Sequence, residues 1–319
     1  MSSRVRFFAV LATIFAAVPL AWWWFLREPA AAPTTEPVAA RPMAAAQLEV
    51  GARTLEVRLG ETTGHVELRK GVDGGWQVAR PGDALEPKDG VRTGDGSTVV
   101  LVGGETWQVK MEPGTEVGIG ELSESITRLL LETGMARAQV LGGQRHVFEV
   151  RASNTDAQAS TDAGVFTIAS NGQGTVAVAT ERGEVLFSGG GRVVIVREGQ
   201  QALKRPGQPP GDPAPIPSSL LLKVALPARR TINTPRLVLK GSSEPGALVE
   251  VQGRVVRVDE DGRFEAAVQL REGLNQLDVR ARGVGGKERA SAGQVELDTT
   301  VRPTTMDGDL WKDHPAQTQ

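Results

Sequence analysis

Runs in which apolar and polar residues strictly alternate, each closed within a few positions by glycines or a Gly-Asp pair, recur along this chain and confine it to β structure. Leu55-Glu-Val-Arg-Leu59, His65-Val-Glu-Leu-Arg69, Thr106-Trp-Gln-Val-Lys-Met111, His146-Val-Phe-Glu-Val-Arg151 and Val165-Phe-Thr-Ile168 carry the pattern. A period of two sends one set of side chains to a core and the other to solvent. Between the runs lie Asp73-Gly-Gly, Pro81-Gly-Asp, Thr93-Gly-Asp-Gly, Gly103-Gly, Asn171-Gly-Gln-Gly and Gly189-Gly-Gly. Their residues supply the positive φ of tight turns. Residues Ile126 to Leu131 pass for a helical turn, yet Arg128-Leu-Leu-Leu-Glu132 before Thr-Gly fits a strand as well. The expected product over 48–204 is an antiparallel sandwich, barrel or roll.

A second block, 218–300, repeats the pattern. Its strands are separated by Pro245-Gly246 and Asp261-Gly262, strong hairpin turns. Strands at that spacing in a short block predict a small β-sandwich. The blocks are separated by 205–217, where six prolines in thirteen residues exclude a helix or a central strand. Residues 301–319 read as a polar, disordered tail. With no cysteine in 319 residues, neither block can rely on disulfides, and thiolate metal sites and thiol nucleophiles are excluded.

Ahead of both blocks runs Phe7 to Leu26, uncharged throughout. As a helix it spans about 30 Å, one hydrocarbon core. Arg4 and Arg6 on a stub of residues 1–6 place that stub in the cytoplasm and the remainder outside. Trp22, Trp23 and Trp24, with Arg27 beyond them, mark the outer interface. The predicted order is stub 1–6, transmembrane signal anchor 7–26 and a Pro/Ala-rich linker 27–47 that lifts the domains off the bilayer. The competing reading is a cleaved signal peptide followed by secretion. Half of the eight Phe and six Trp lie in this run, and Tyr is absent, so the exported domains are built from aliphatic residues.

Catalytic and ligand-binding constellations are not legible. Asp259, Glu260 and Asp261 before Gly262 lack the spacing of a calcium loop and read as a hairpin turn. His65 and His146 fall in strand patterns and read as exposed strand residues. Gly189-Gly-Gly191 does not link a strand to a helix as a phosphate cradle requires, and Ser218-Ser219 has no nucleophile-elbow context. Trp76 and Trp107 are read as core. No catalytic residue, cofactor or metal is expected, and a net charge of −2 gives no electrostatic case for nucleic acid.

The order of motifs in the first block resembles the FecR domain family. It runs Gly64-His-Val-Glu-Leu, Trp76-Gln-Val-Ala, Pro81-Gly-Asp83, Gly90-Val-Arg-Thr-Gly94, Ser97-Thr-Val-Val-Leu101, Pro113-Gly-Thr-Glu-Val117, Leu129-Leu-Leu-Glu-Thr-Gly134, Thr175-Val-Ala-Val178, Gly183-Glu-Val185 and Glu198-Gly-Gln200. Gly82, Asp83, Arg92, Thr93 and Gly94 form the family-like signature, in which Arg92-Thr-Gly, ahead of an alternating strand, carries the most weight. The second block resembles bacterial immunoglobulin-like modules of the glucodextranase type. The resemblances imply an all-β protein: a FecR-like antiparallel β-sandwich or roll plus a small immunoglobulin-like β-sandwich, preceded by one transmembrane helix. FecR-like periplasmic domains sense a partner protein, while a sigma-factor-binding segment lies in the cytoplasm; here only Met1 to Arg6 occupies that side. The function expected is therefore a non-enzymatic, single-pass protein of the inner membrane, its bulk periplasmic, that binds an envelope protein or a cell-wall or surface polymer. The alternatives are an accessory role in transmembrane signalling and carbohydrate binding by the second block.

Overall fold

In the computed structural model the described residues are 56–142, 146–227 and 231–300, and they form strands and turns with no helix. The anticipated stub, anchor, interfacial Trp22, Trp23, Trp24 and Arg27, the linker to residue 47 and the tail from 301 lie outside them. All the described residues belong to one compact unit.

The first block is two β layers joined by two strands that belong to both. One layer runs, in hydrogen-bonded order, Ala214–Pro215, Gln200–Lys204, Val176–Gly189, Gly164–Ser170, Ile126–Val140, Trp107–Met111, Thr98–Gly103, Val57–Thr63, Ala84–Leu85. The other runs Arg192–Arg197, Val176–Gly189, Gln158–Thr161, Val147–Ala152, Ile126–Val140, Glu116–Leu122, Gly90–Thr93, Val66–Arg69, Trp76–Val78. Ile126–Val140 and Val176–Gly189 are the long strands, 15 and 14 residues. Each changes layer at a glycine: Gly134 at φ +96° and Gly183 at φ +80°. A Cβ on Gly134 would lie 2.5 Å from Thr115 Cα, so the crossover requires a residue without one.

Alternation does the rest. From one layer Leu59, Leu101, Val109, Phe166 and Ile168 point inward, and from the other Leu68, Val91, Ile119, Leu129, Phe148 and Phe187; they meet in a single core. Trp107, Phe148 and Phe166 run through its centre, with ring centroids 5.2 and 6.3 Å apart. The ambiguous Ile126–Leu131 stretch is strand, and its pairing with Val147–Ala152 is parallel. That pairing departs from the antiparallel expectation: Ile126–Val140 changes layer at Gly134, and Val147–Ala152 lies beside its first half in the same direction.

The second block is a sandwich. Three strands, Leu222–Ala225, Arg236–Ser243 and Arg263–Gln269, face five, Thr231–Ile232, Glu288–Leu297, Gly273–Arg282, Leu248–Val251 and Arg254–Val256. The core between them is aliphatic around one aromatic, Phe264. Thr231–Ile232 pairs in parallel with Glu288–Leu297, the other departure from antiparallel order.

The proline-rich segment between the blocks is tied down. Ala214–Pro215 pairs with Gln200 and Gln201 at a sheet edge, where a missing proline N–H leaves no ladder bond broken. Gly211 N–H donates to Leu203 O at 3.0 Å and Ile216 N–H to Gly199 O at 2.8 Å. Ile216 then joins a third apolar cluster, in which Met135, Ala169, Ala177 and Ala179 on the outside of the first block meet Leu248 and Val284 of the second. Polar ties flank it: Val255 N–H to Asp95 Oδ1 at 2.9 Å, Asn171 Nδ2 to Val258 O at 3.3 Å, and Arg282 Nη1 to the buried Glu112 carboxylate at 2.8 Å.

Candidate binding face

The sequence signature resolves into three pieces of local chemistry. Pro81 and Gly82, the latter at φ +90°, form the centre of a tight turn. Asp83 closes it: its N–H donates to Arg80 O at 3.1 Å and its Oδ2 accepts from Arg80 N–H at 2.8 Å. Arg92 points outward, and its Nε donates to Glu67 Oε2 at 2.5 Å. Thr93 points inward as a staple, its hydroxyl donating to Glu112 O at 2.7 Å and accepting from Thr115 N–H at 2.9 Å. Gly94 N–H donates to His65 O at 2.9 Å, and Gly94 O accepts from Gly114 N–H at 3.3 Å. Gly82, Asp83, Thr93 and Gly94 thus shape the scaffold, and Arg92 carries its side chain onto the outer face of the sheet.

That surface is the outside of the layer that begins at Trp76. Trp76 is half-buried on it rather than in the core, held by the guanidinium carbons of Arg92 and Arg69 at 4.3 and 4.9 Å from its ring centre. Trp107 is buried, as read. In register across the strands from Trp76 come Arg69, Gly90, Gly118 and Leu130. Trp76 and Arg69 lie over the buried Gly90, where a Cβ would touch both at 3.4 Å, while Gly118, next in register, carries no side chain and leaves the sheet surface low between the Trp76 stack and Leu130, a shallow trough. Beyond the trough stands a charged ladder. Arg128 bridges Glu121 and Glu149, Arg151 Nε and Gln158 Nε2 also donate to Glu149, and all these contacts are 2.5–2.7 Å. The Glu149 hydrogen bond pushes the Arg128 guanidinium further up from its ordinary range, against the opposing effect of burial. At the Trp76 end the Arg92 hydrogen bond holds the Glu67 carboxyl below the usual range, and His65 adds to it.

Other candidates have plainer roles. His65 is exposed, its Nε2 3.6 Å from Glu67. His146 is buried instead of exposed, because both ring nitrogens find partners at 3.0 Å, Glu124 O and Thr127 Oγ1. Asp259 Oδ1 accepts from the N–H groups of Asp261 and Arg263, a turn. Among the described residues no three His, Asp or Glu side chains converge as metal ligands would. A polar cleft of about 580 Å³ lies along the seam between the blocks, with Lys110, Arg280, Arg282 and Arg289 facing Glu112, Glu250 and Glu288.

One residue was missed by sequence reading though its signal was present. Glu86-Pro-Lys-Asp89 repeats Arg80-Pro-Gly-Asp83 six positions later. Asp89 closes its turn through Glu86 N–H and in addition accepts from Gly71 N–H and Lys70 Nζ, all within 2.9 Å. Asp95, read only as a turn residue, reaches the second block.

Comparison with protein families and with curated proteins yields no match. Among solved structures, two crystal structures of a candidate anti-sigma factor from Parabacteroides distasonis ATCC 8503 are 17% identical, with a TM-score of 0.35 over 40% of this chain and 59% of theirs. A polysaccharide lyase is 10% identical, with a TM-score of 0.20 over 76% of this chain and 40% of its own. The chain therefore spans about three fifths of the length of the first pair.

Proposed function

We propose that this is a non-enzymatic, membrane-anchored cell-envelope protein whose extracytoplasmic FecR-like and immunoglobulin-like modules bind another envelope protein. The observation that carries the reading is the outer face just described: an aromatic ring stacked with two arginines, a shallow trough at Gly118 beside it and an Arg/Glu ladder beyond. Aromatic and arginine side chains on a rigid sheet are what protein interfaces concentrate at their centres. The ion-paired ladder supplies specificity by charge pattern more than raw affinity.

The test places a photo-cross-linking residue at Leu130, in the trough, and at Lys240, on the second block, in cells producing the full chain. A single envelope product is expected from Leu130, lost when Trp76→Ala is added. Equal products from both positions, or a Leu130 product indifferent to Trp76, would overturn the reading. Anchoring rests on Phe7–Leu26 and is tested separately: the chain should fractionate with membranes and retain its N-terminus, and a soluble chain beginning near Pro29 would refute it.

A further inference from the structure

The two layers of the first block end in four edge strands, and three of these are short: Trp76–Val78 has three residues, and Ala84–Leu85 and Ala214–Pro215 have two each. Brevity and proline are ordinary protection against edge-to-edge pairing. The fourth edge, Arg192–Arg197, has six residues, RVVIVR, with no proline, bulge or charge between its terminal arginines. Val193 and Ile195 stand on the outer face, 62% and 39% exposed, beside Leu186 at 48%.

The turn fixes which backbone groups are open. Gly190 and Gly191, at φ +57° and +76°, make a two-residue hairpin turn into this strand. In such a hairpin the residues flanking the turn exchange both hydrogen bonds, and so does every second pair after them. Arg192, Val194 and Val196 therefore direct their backbone groups to Val176–Gly189, and Thr180 Oγ1 also donates to Val196 O at 3.0 Å. Val193 and Ile195 present theirs at the free edge. Arg197 N–H is taken by Gln200 Oε1, while its carbonyl remains available.

We propose that this edge pairs with the same edge of a second copy, antiparallel about a two-fold axis at Ile195. That register places Ile195 opposite Ile195, Val194 opposite Val196 on the inner face, and Val193 opposite Arg197. Arg192, at the end of the strand, keeps partners in its own chain, Nη1 donating to Pro210 O at 3.0 Å and Nη2 to Asp212 Oδ1, so the self-complementarity is one of pattern and of open backbone groups, centred on Ile195. Ile195 N–H to Ile195 O and Val193 N–H to Arg197 O, each made twice, close the ladder without disturbing Gln200. The two-fold axis is perpendicular to the sheet, so both Trp76-containing faces look the same way and engage a repeated or dimeric partner together.

The natural chain has no cysteine, which makes the register directly readable in the full chain purified in detergent. In this pairing Cα atoms of opposed hydrogen-bonded residues lie about 5.5 Å apart, within disulfide range. Under copper-phenanthroline oxidation Ile195→Cys should give a cross-linked dimer. Val193→Cys alone and Arg197→Cys alone should give none, and a mixture of the two should give a dimer. By light scattering the wild type should be dimeric, and Ile195→Lys, an exposed change that leaves the core intact, should raise the dissociation constant at least tenfold. A wild type monomeric at every concentration, a Val193→Cys homodimer as abundant as that of Ile195→Cys, or Ile195→Cys joined only to a different protein would each overturn self-pairing.

Discussion

Thr93 shows how one hydroxyl in this protein holds two strands. It is buried, donates to Glu112 O and supplies the acceptor for Thr115 N–H. Thr93→Val keeps the shape and orphans both backbone groups, so a loss of about 2–4 kcal/mol is expected in urea unfolding. Thr93→Ser keeps the hydroxyl and should lose about 1 kcal/mol, the contribution of a buried methyl. Two carboxylates titrate in opposite senses. Burial pushes the Asp89 carboxyl up, but Lys70 and the N–H groups of Glu86 and Gly71 together hold it below its ordinary value. A depressed carboxylate stabilises the fold above the ordinary pKa of about 4 and loses that contribution as pH falls through the lower folded value. Asp89→Asn should therefore destabilise at pH 7 and flatten the acid limb of the stability curve below about pH 4. Burial raises the Glu250 carboxyl, opposed by Arg280 and Arg282 and reinforced by Asp95 and Glu112. A raised carboxylate disfavours the fold once ionised, so Glu250→Gln should raise the urea midpoint at pH 7 and leave it unchanged near pH 3, more than a unit below the ordinary glutamate pKa of about 4.3.

At the scale of the strand, the crossovers decide the architecture. Ile126–Val140 pairs in one layer through Thr133 and in the other from Gly134 on. Gly134→Ala meets both a positive φ and the Thr115 backbone, and should cost about 3 kcal/mol or more in equilibrium unfolding. Gly118→Ala is the informative contrast. Its Cβ would meet Leu130 at an ordinary 3.7 Å, so stability should hold while the trough is partly filled and photo-cross-linking from Leu130 falls. Alternation made the strands themselves legible, including the Arg-Thr-Gly strand and its neighbours. Their pairing was not: the parallel contact of Ile126–Val140 with Val147–Ala152 joins residues whose local pattern serves either direction equally. The position of Trp76 was misread for a related reason, since a tryptophan in an alternating run packs either in a core or under arginines, and Arg69 and Arg92 reach it only once three strands are side by side.

For the whole molecule, the seam makes one body of two foldable blocks. Its apolar centre is a patch of small side chains, and Gly246 fits against Ala177 so closely that a Cβ would lie 2.5 Å from the alanine's own. Gly246→Val should open the seam while leaving both inner cores closed. Limited proteolysis should then cut within 205–217 much faster than in the wild type, with the two fragments stable. An unchanged cutting rate would show that the segment is protected by its own pairing at Gln200 and Gln201 and not by the seam.

The amino-acid sequence by itself determined the all-β class, the turns at Pro81-Gly82, Pro245-Gly246 and Asp261-Gly262, and the aliphatic make-up of the cores. These follow from side-chain period and from which residues accept positive φ, both local properties. Only the tertiary structure decided that two long strands serve two layers, that the proline segment lies along a sheet edge, that Asp95 and Glu112 face the second block, and that Arg192–Arg197 is the longest of the four edges of the first block. Those features depend on which strands become neighbours. That choice is made by burial of the shared core over the whole chain, and no local pattern encodes it.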